Sequence, residues 1–259
     1  MGEVVDKAHA VLVTGAAKRI GRAISMALAR EGHGVALHYN HSQDAASALR
    51  EEILAMGGRA ITLRADLSRE AEVTTLVARA AEGLGRPLTG LVNNASLFQK
   101  DDALGATRES WDAHIETNLR APFVLMQDFA RALPEGLAGT IVNILDQRVW
   151  ALTPHFLSYT LSKSALWTLT RTMALALAPH IRVNGIGPGP TLRNERQGEE
   201  DFVAQWQAVP LHRPTAPDEI ARTVLFLMQT PSITGQMIAL DGGEHLGWAQ
   251  EAVGLTPRE

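Results

Sequence analysis

Two rhythms of apolar residues alternate along this chain. One is the short unbroken run, at residues 10–15 (AVLVTG), 34–39 (GVALHY), 60–66 (AITLRAD), 90–96 (GLVNNAS), 139–145 (GTIVNIL), 181–189 (IRVNGIGPG) and 235–243 (GQMIALDGG). Runs of this length bounded by glycine and polar residues predict strands, and the absence of polar alternation predicts burial on both faces. The other rhythm is helical. Ile20, Ala23, Ile24, Ala27 and Leu28 recur at i, i+3, i+4, i+7 and i+8 and stop near Gly32. A second helix is predicted from a Ser42 cap to Gly57 and Gly58, a third from Ser68, and others over 108–133, 158–178 and 218–228. Serine suits the first helical turn and glycine the last. A Pro-bounded stretch, 191–217, follows neither rhythm.

Strand–helix alternation with apolar strands predicts an α/β fold. We expect a single Rossmann-type doubly wound parallel sheet of about seven strands, with helices on both faces. No linker, charge block or repeat divides the 259 residues, so one domain over 1–259 is expected. Such sheets bind ligands beyond the carboxyl ends of their strands. The irregular 191–217 stretch is expected to form a substrate lid.

Composition narrows the chemistry. Hydrophobic residues make up 46% and charged residues 20%, as in ordinary globular proteins. A net charge of −4 offers no basic field for nucleic acid or an anionic membrane. The lack of cysteine removes disulfides, thiolate nucleophiles and thiolate metal sites. The nine histidines show no spacing such as H-E-x-x-H, so no metal is expected. The apolar run near the N-terminus is too short for a signal peptide, and no stretch is long enough to span a bilayer. A cytoplasmic protein acting on a small molecule is the expectation.

The first strand–helix turn reads Thr14-Gly15-Ala16-Ala17-Lys18-Arg19-Ile20-Gly21. Gly15 permits a sharp turn, Gly21 lets helix and strand approach, and the helix N-terminus offers N–H groups to a pyrophosphate. Arg19 stands where such loops more often carry another glycine. The second strand ends His38-Tyr39-Asn40-His41-Ser42, with no acid to hold a ribose 2′-hydroxyl. A 2′-phosphate would instead want a guanidinium and hydroxyls. Arg19, with His41 and Ser42, is therefore expected to hold the extra phosphate of NADP(H). Asp66-Leu67 is placed to meet the adenine, although Asp66 could equally cap the next helix. Asn93 and Ala95, in NNA, adjoin the expected cofactor ribose, although Asn93 could simply fix the turn.

Tyr159 and Lys163 stand four residues apart on a predicted helix and so share a face. A free phenol has a pKa near 10, and a neighbouring ammonium favours its ionised form. Lowering it by roughly 3 units would take about 4 kcal/mol of differential interaction.

In order along the chain come TG-x3-R-x-G, Asp66, NNA, Asn118, a polar residue at 146, Tyr159, Lys163 and PGP at 188–190. Together they resemble the short-chain dehydrogenase/reductases over nearly the whole chain. Two departures narrow the resemblance. The family's usual catalytic serine, thirteen positions before the tyrosine, is Asp146 here, and the middle glycine of the loop is Arg19. With LHYNHS, NNASLF and DGGEHL, these departures look like the pteridine reductase and dihydromonapterin reductase branch. The resemblance implies an Asp146–Tyr159–Lys163 triad with Asn118, and a phosphate-holding Arg19. It also implies a Phe98 that sandwiches the pterin, a Ser96 that bonds cofactor or substrate, cofactor contacts from Pro188 and Gly189, and a homotetramer.

An ionised carboxylate cannot donate to a carbonyl oxygen and would repel a developing alkoxide. Asp146 suits a C=N acceptor or a substrate bearing N–H donors. The expected mechanism is hydride transfer from NADPH, with Tyr159 as proton donor, Lys163 tuning it and Asn118 holding a water that links Lys163 to solvent. Bracing a helix bend is the plainer role for Asn118. Trp150, Phe156 and Trp206 are candidate pocket walls. Two alternatives stand beside the pteridine reading: a ketone or 3-oxoacyl-carrier-protein reductase, and a non-catalytic NADP-binding regulator. The tail from Glu244 to Glu259 is expected to pack on a neighbouring subunit.

Overall fold

The structure, a computed structural model, describes residues 9–193 and 197–247. Seven strands form one sheet: β1 (Ala10–Val13), β2 (Gly34–Tyr39), β3 (Arg59–Arg64), β4 (Gly90–Asn93), β5 (Gly139–Ile144), β6 (Ile181–Pro188) and β7 (Met237–Leu240). Their order is β3-β2-β1-β4-β5-β6-β7, and every pairing is parallel. The strand order reverses between β1 and β4, which opens a crevice at their carboxyl ends.

The helices are α1 (Arg19–Arg30), α2 (Gln43–Ala55), α3 (Glu70–Val73), α4 (Leu76–Leu84), α5 (Arg108–Ile115), α6 (Ala121–Ala132), α7 (Leu157–Leu177), α8 (Glu199–Gln207) and α9 (Pro217–Gln229). The sheet carries a core on each face. Along β1, Ala10 and Leu12 join the layer filled by α4, α6 and α7, while Val11 and Val13 join the layer filled by α1, α2 and α9. This alternation is what makes β1 read as an unbroken apolar run. Gly90 permits that close packing, since a Cβ there would lie 2.8 Å from Val11.

Three helical expectations change. Ser42 stands before α2 but makes no side-chain cap bond. The helix expected from Ser68 begins later and is two short pieces, with Arg69 preceding the first. The long helix expected over 108–133 is α5 and α6 joined by a π-helical turn, Glu116–Arg120. Such turns concentrate at functional sites. The lid stretch contains α8, whose residues are all at least partly exposed and so gave no apolar stripe.

Candidate active site

The first turn is built by close backbone packing. Gly15 has φ +62°, and a Cβ on it would lie 3.0 Å from the Ala95 Cα. A Cβ on Gly21 would lie 2.1 Å from the Gly15 carbonyl oxygen. Side chains from other strands staple this turn. Asn94 donates to the carbonyls of Thr14 (2.8 Å) and Gly15 (3.1 Å), and Thr14 Oγ1 accepts from the Asn94 and Ala95 amides. His38 accepts from the Gly15 amide at 3.1 Å through Nδ1, so its other nitrogen donates to the Ala65 carbonyl at 3.1 Å. Burial draws His38 down to about 4, which keeps it neutral for this double role. Helix α1 starts with no side-chain cap among the described residues and no acid in its first turn. Its first N–H groups are left to an anion, so the turn fits a dinucleotide pyrophosphate.

Several residues expected to touch the cofactor are otherwise engaged. Arg19 has φ +53°, and its two terminal nitrogens donate to the carbonyls of Arg193 (2.7 Å) and Leu192 (2.9 Å). It lines the catalytic cleft, where His41 and Ser42 do not. Arg19 therefore joins the first turn to the segment at Leu192 and Arg193. Asp66 accepts from the amide and hydroxyl of Ser68, a local turn ahead of α3 rather than a helix cap. Leu67 is buried in the core. Asn93 turns into the sheet and donates to Asn143 Oδ1 at 2.8 Å, so Asn94 carries the turn-fixing role expected of it. Ile20, Pro188 and Gly189 line the cleft as expected, and Asn40 keeps a buried Oδ1 with no partner.

The residues expected to be catalytic meet beyond the end of β5, in a cleft also lined by Asn94 after β4 and Pro188 of β6. Tyr159 donates to Asp146 Oδ2 at 2.7 Å. Asp146 follows β5 and caps a single 3-10 turn, Gln147–Val149, by accepting from the Arg148 amide at 2.9 Å. The Lys163 ammonium donates to the Ile144 carbonyl at 2.8 Å and lies 5.9 Å from the Tyr159 ring centre. Both Tyr159 and Lys163 are buried side chains on one face of α7, and both line the same cleft of about 610 Å³. Phe156, at φ +58°, sets the chain direction into α7.

The electrostatics correct the expected acidic phenol. Burial, the Asp146 charge and the hydrogen bond to Asp146 push Tyr159 well above its usual range, with Arg148 and Ser96 pulling the other way. Burial meanwhile draws Lys163 down to about 8, opposed by Asp146. The protein thus holds the phenol protonated, a proton donor in waiting.

Asn118 sits in the π-turn and braces the loop beside β4. Its Oδ1 accepts from the Leu97 amide (2.8 Å) and Ser96 hydroxyl (3.3 Å), and its Nδ2 donates to the Leu97 carbonyl (2.9 Å) and Ser162 (3.1 Å). The side-chain amide thus takes the bracing role.

The cleft's aromatic wall is Phe98 stacked on Phe156, with centroids 4.4 Å apart and planes within 10°. Tyr159 meets Phe98 edge-on at 4.7 Å, and the Arg148 guanidinium lies 5.4 Å and 5.3 Å from the Phe98 and Phe156 ring centres. One Phe98 face is therefore covered by Phe156. Trp150 and Trp206 do not line the cleft; Phe202 of α8 does, with Thr191, Leu192 and Gln197 of the lid stretch. Of the expected tail, residues 248–259 lie outside the described residues, while Glu244 faces the cleft. Sequence reading missed Asn94, His38, Arg148 and Glu244 as site residues; a polar side chain inside an apolar strand was the signal for His38.

A family described as enoyl-(acyl carrier protein) reductase matches residues 15–245. The chain is 34% identical to a 3-oxoacyl-[acyl-carrier-protein] reductase of Synechocystis sp. over 242 residues, which are 91% of this chain and 96% of the relative. Among solved structures it resembles the FolM alternative dihydrofolate reductase 1 of Brucella canis complexed with NADP. That match has 51% identity and TM-score 0.90, covering 93% of this chain and 95% of that one. A metagenomic blue fluorescent protein in complex with NADPH matches at 34% identity and TM-score 0.83, covering 90% of this chain and 96% of that one.

Proposed function

The chain belongs to the short-chain dehydrogenase/reductase family of oxidoreductases, and within it we propose an NADPH-dependent reductase of a pteridine. The bond reduced is a C=N or C=O of a dihydropterin. The observation that carries this reading is the Tyr159 hydroxyl donating to a carboxylate, Asp146, at 2.7 Å. A ketone reductase places a hydroxyl donor there. A carboxylate would repel a developing alkoxide, but it accepts hydrogen bonds from ring N–H groups. The 51% identity to a FolM protein supports the same reading.

When bound, the reduced nicotinamide supplies the hydride. Gly15, Ile20 and Gly21 receive the pyrophosphate, and Pro188 and Gly189 border the ring's end of the cleft. Tyr159 delivers its phenol proton to the nitrogen or oxygen of the bond whose carbon takes the hydride. The Lys163 ammonium, charged below about pH 8, then offsets the phenolate charge. Asp146 fixes the hydroxyl in place and takes a ring N–H. Phe98 gives the flat heterocycle a stacking surface, and residues 191–217 cover it. The same reading takes one catalytic domain over 1–259, acting as a cytoplasmic homotetramer with no nucleic-acid or membrane partner.

The second reading is a 3-oxoacyl-carrier-protein reductase, favoured by the name of the Synechocystis relative. Following NADPH absorbance with a dihydropterin and with a 3-oxoacyl thioester separates them. Faster turnover of the thioester would sink the pteridine assignment.

A further inference from the structure

Besides Asp146, the cleft is lined by the carboxyl residues Asp201 and Glu244. Glu244 opens a short 3-10 turn, Glu244–Leu246, just beyond β7. The turn is held by Asp241, which accepts from the Gly243 amide (3.0 Å) and the His245 amide (2.8 Å). Glycines with φ +89° and +64° bracket it at positions 243 and 247. The backbone under Glu244 is therefore fixed, and its side chain lines the cleft with Asp146, Tyr159 and Phe98. Its Oε2 is buried and has no hydrogen-bond partner.

A buried acceptor left unpaired carries an uncompensated desolvation cost. Such atoms persist where a ligand completes them. Two neighbours share the condition: Gln147 Oε1 and Arg148 Nε are also buried and unpaired, and both residues line the same cleft. Asp146, by contrast, already accepts from Tyr159 on one oxygen and from the Arg148 amide on the other. Three residues that line the cleft thus carry a buried polar atom without a partner, two acceptors and one donor, in addition to the Asp146 carboxylate. A simple ketone presents one acceptor and could not use them. A 2-aminopyrimidinone ring presents N–H donors beside acceptors along one edge and could.

We propose that Glu244 is a specificity-determining residue, whose unpaired carboxyl oxygen receives an N–H donor from the 2-amino edge of a heterocycle seated against Phe98. Glu244 is a recognition residue and takes no part in hydride or proton transfer. Burial, with Asp146 and Asp241 adding to it and Arg148 opposing, pushes its carboxyl up to about 7. An incoming N–H donor relieves that desolvation. The inference rests on the pteridine reading.

The test uses the full chain with NADPH and compares wild type with Glu244→Gln and Glu244→Ala. KM and kcat are measured for a dihydropterin and for the matching 2-oxo ring, a dihydrolumazine. Binding of oxidised pterin to the NADP+-loaded protein is read by fluorescence. Wild type is expected to favour the 2-amino ring. Glu244→Ala should raise the pterin KM and Kd about tenfold or more, Glu244→Gln less, with kcat within about threefold and the 2-amino preference lost. Unchanged NADPH affinity and melting temperature show that each variant is folded. Wild-type pterin KM and Kd in both variants would overturn the role of Glu244 while leaving the pteridine reading intact. So would a fall in kcat alone. A wild type that neither binds nor reduces pterins would overturn both.

Discussion

The cofactor end and the substrate end of the cleft are finished to different degrees. Around the first turn, Thr14, Asn94 and His38 pair with backbone groups of the turn at 2.8–3.1 Å. The surface left for a ligand is main chain and a bare helix start. At the other end, Gln147, Arg148 and Glu244 keep buried polar atoms unpaired beside the cleft. A diphosphate common to many enzymes is met by rigid backbone. A particular substrate is met by side chains whose bonds it must complete. Perturbing one end should therefore leave the other nearly untouched.

The strongest test of that separation is Tyr159→Phe. It removes the donor but keeps the ring against Phe98, so turnover should fall about a thousandfold. NADPH affinity measured by fluorescence titration should stay within about twofold. A comparable loss of cofactor binding would show that the two ends are one structural unit.

Asp146→Asn comes next. It keeps the shape of the side chain and removes the charge, and kcat/KM for a pterin should fall about a hundredfold. Asp146 is among the causes that raise Tyr159, so its removal lowers the phenol pKa. The donor must be protonated, so the alkaline limb of the pH–rate profile should move to lower pH. A shift to higher pH would refute the electrostatic account.

His38→Asn probes the cofactor end, where about 1–3 kcal/mol of stability should be lost. His33 and His38 are each drawn by burial from 6.5 to about 4. Both are neutral in the fold at pH values where the unfolded chain takes up protons. Their contribution is intact above about pH 6.5 and declines as pH falls toward about 4. Urea midpoints measured across that window should drop, and His38→Asn should flatten the slope. Equal midpoints at pH 7 and pH 5 would count against neutral imidazoles.

Arg19→Ala should have the smallest effect, because its bonds to the lid carbonyls are exposed. Substrate KM should rise severalfold, while the ratio of NADPH to NADH preference changes less than about threefold. A selective loss of NADPH use would return Arg19 to the 2′-phosphate.

The fold was largely legible because each strand announces its own burial on both faces. The pair of Tyr159 and Lys163 was legible because α-helical spacing puts them on one side, while Asp146 was legible only through the resemblance to a family with a polar residue thirteen positions before the tyrosine. Helix α8 was hidden, since its residues face solvent or the cleft and leave no apolar stripe. The direction of Arg19 was hidden too: its partners are 173 and 174 residues away in the chain. The choice of Asn94 over Asn93 depended on which neighbour points out of the sheet toward Thr14, 80 residues back.

The order of amino acids alone determined the layered parallel sheet, the glycine turn before α1, and the shared helix face of Tyr159 and Lys163. Those follow from local periodicity and short spacings, which do not depend on what else the chain contacts. Tertiary structure decided that burial raises the Tyr159 phenol, that Asn118 braces the loop beside β4, that Arg19 bonds to the Leu192 and Arg193 carbonyls, and that Glu244 lines the cleft. Each of these depends on desolvation and on partners supplied by distant segments, which no local pattern encodes.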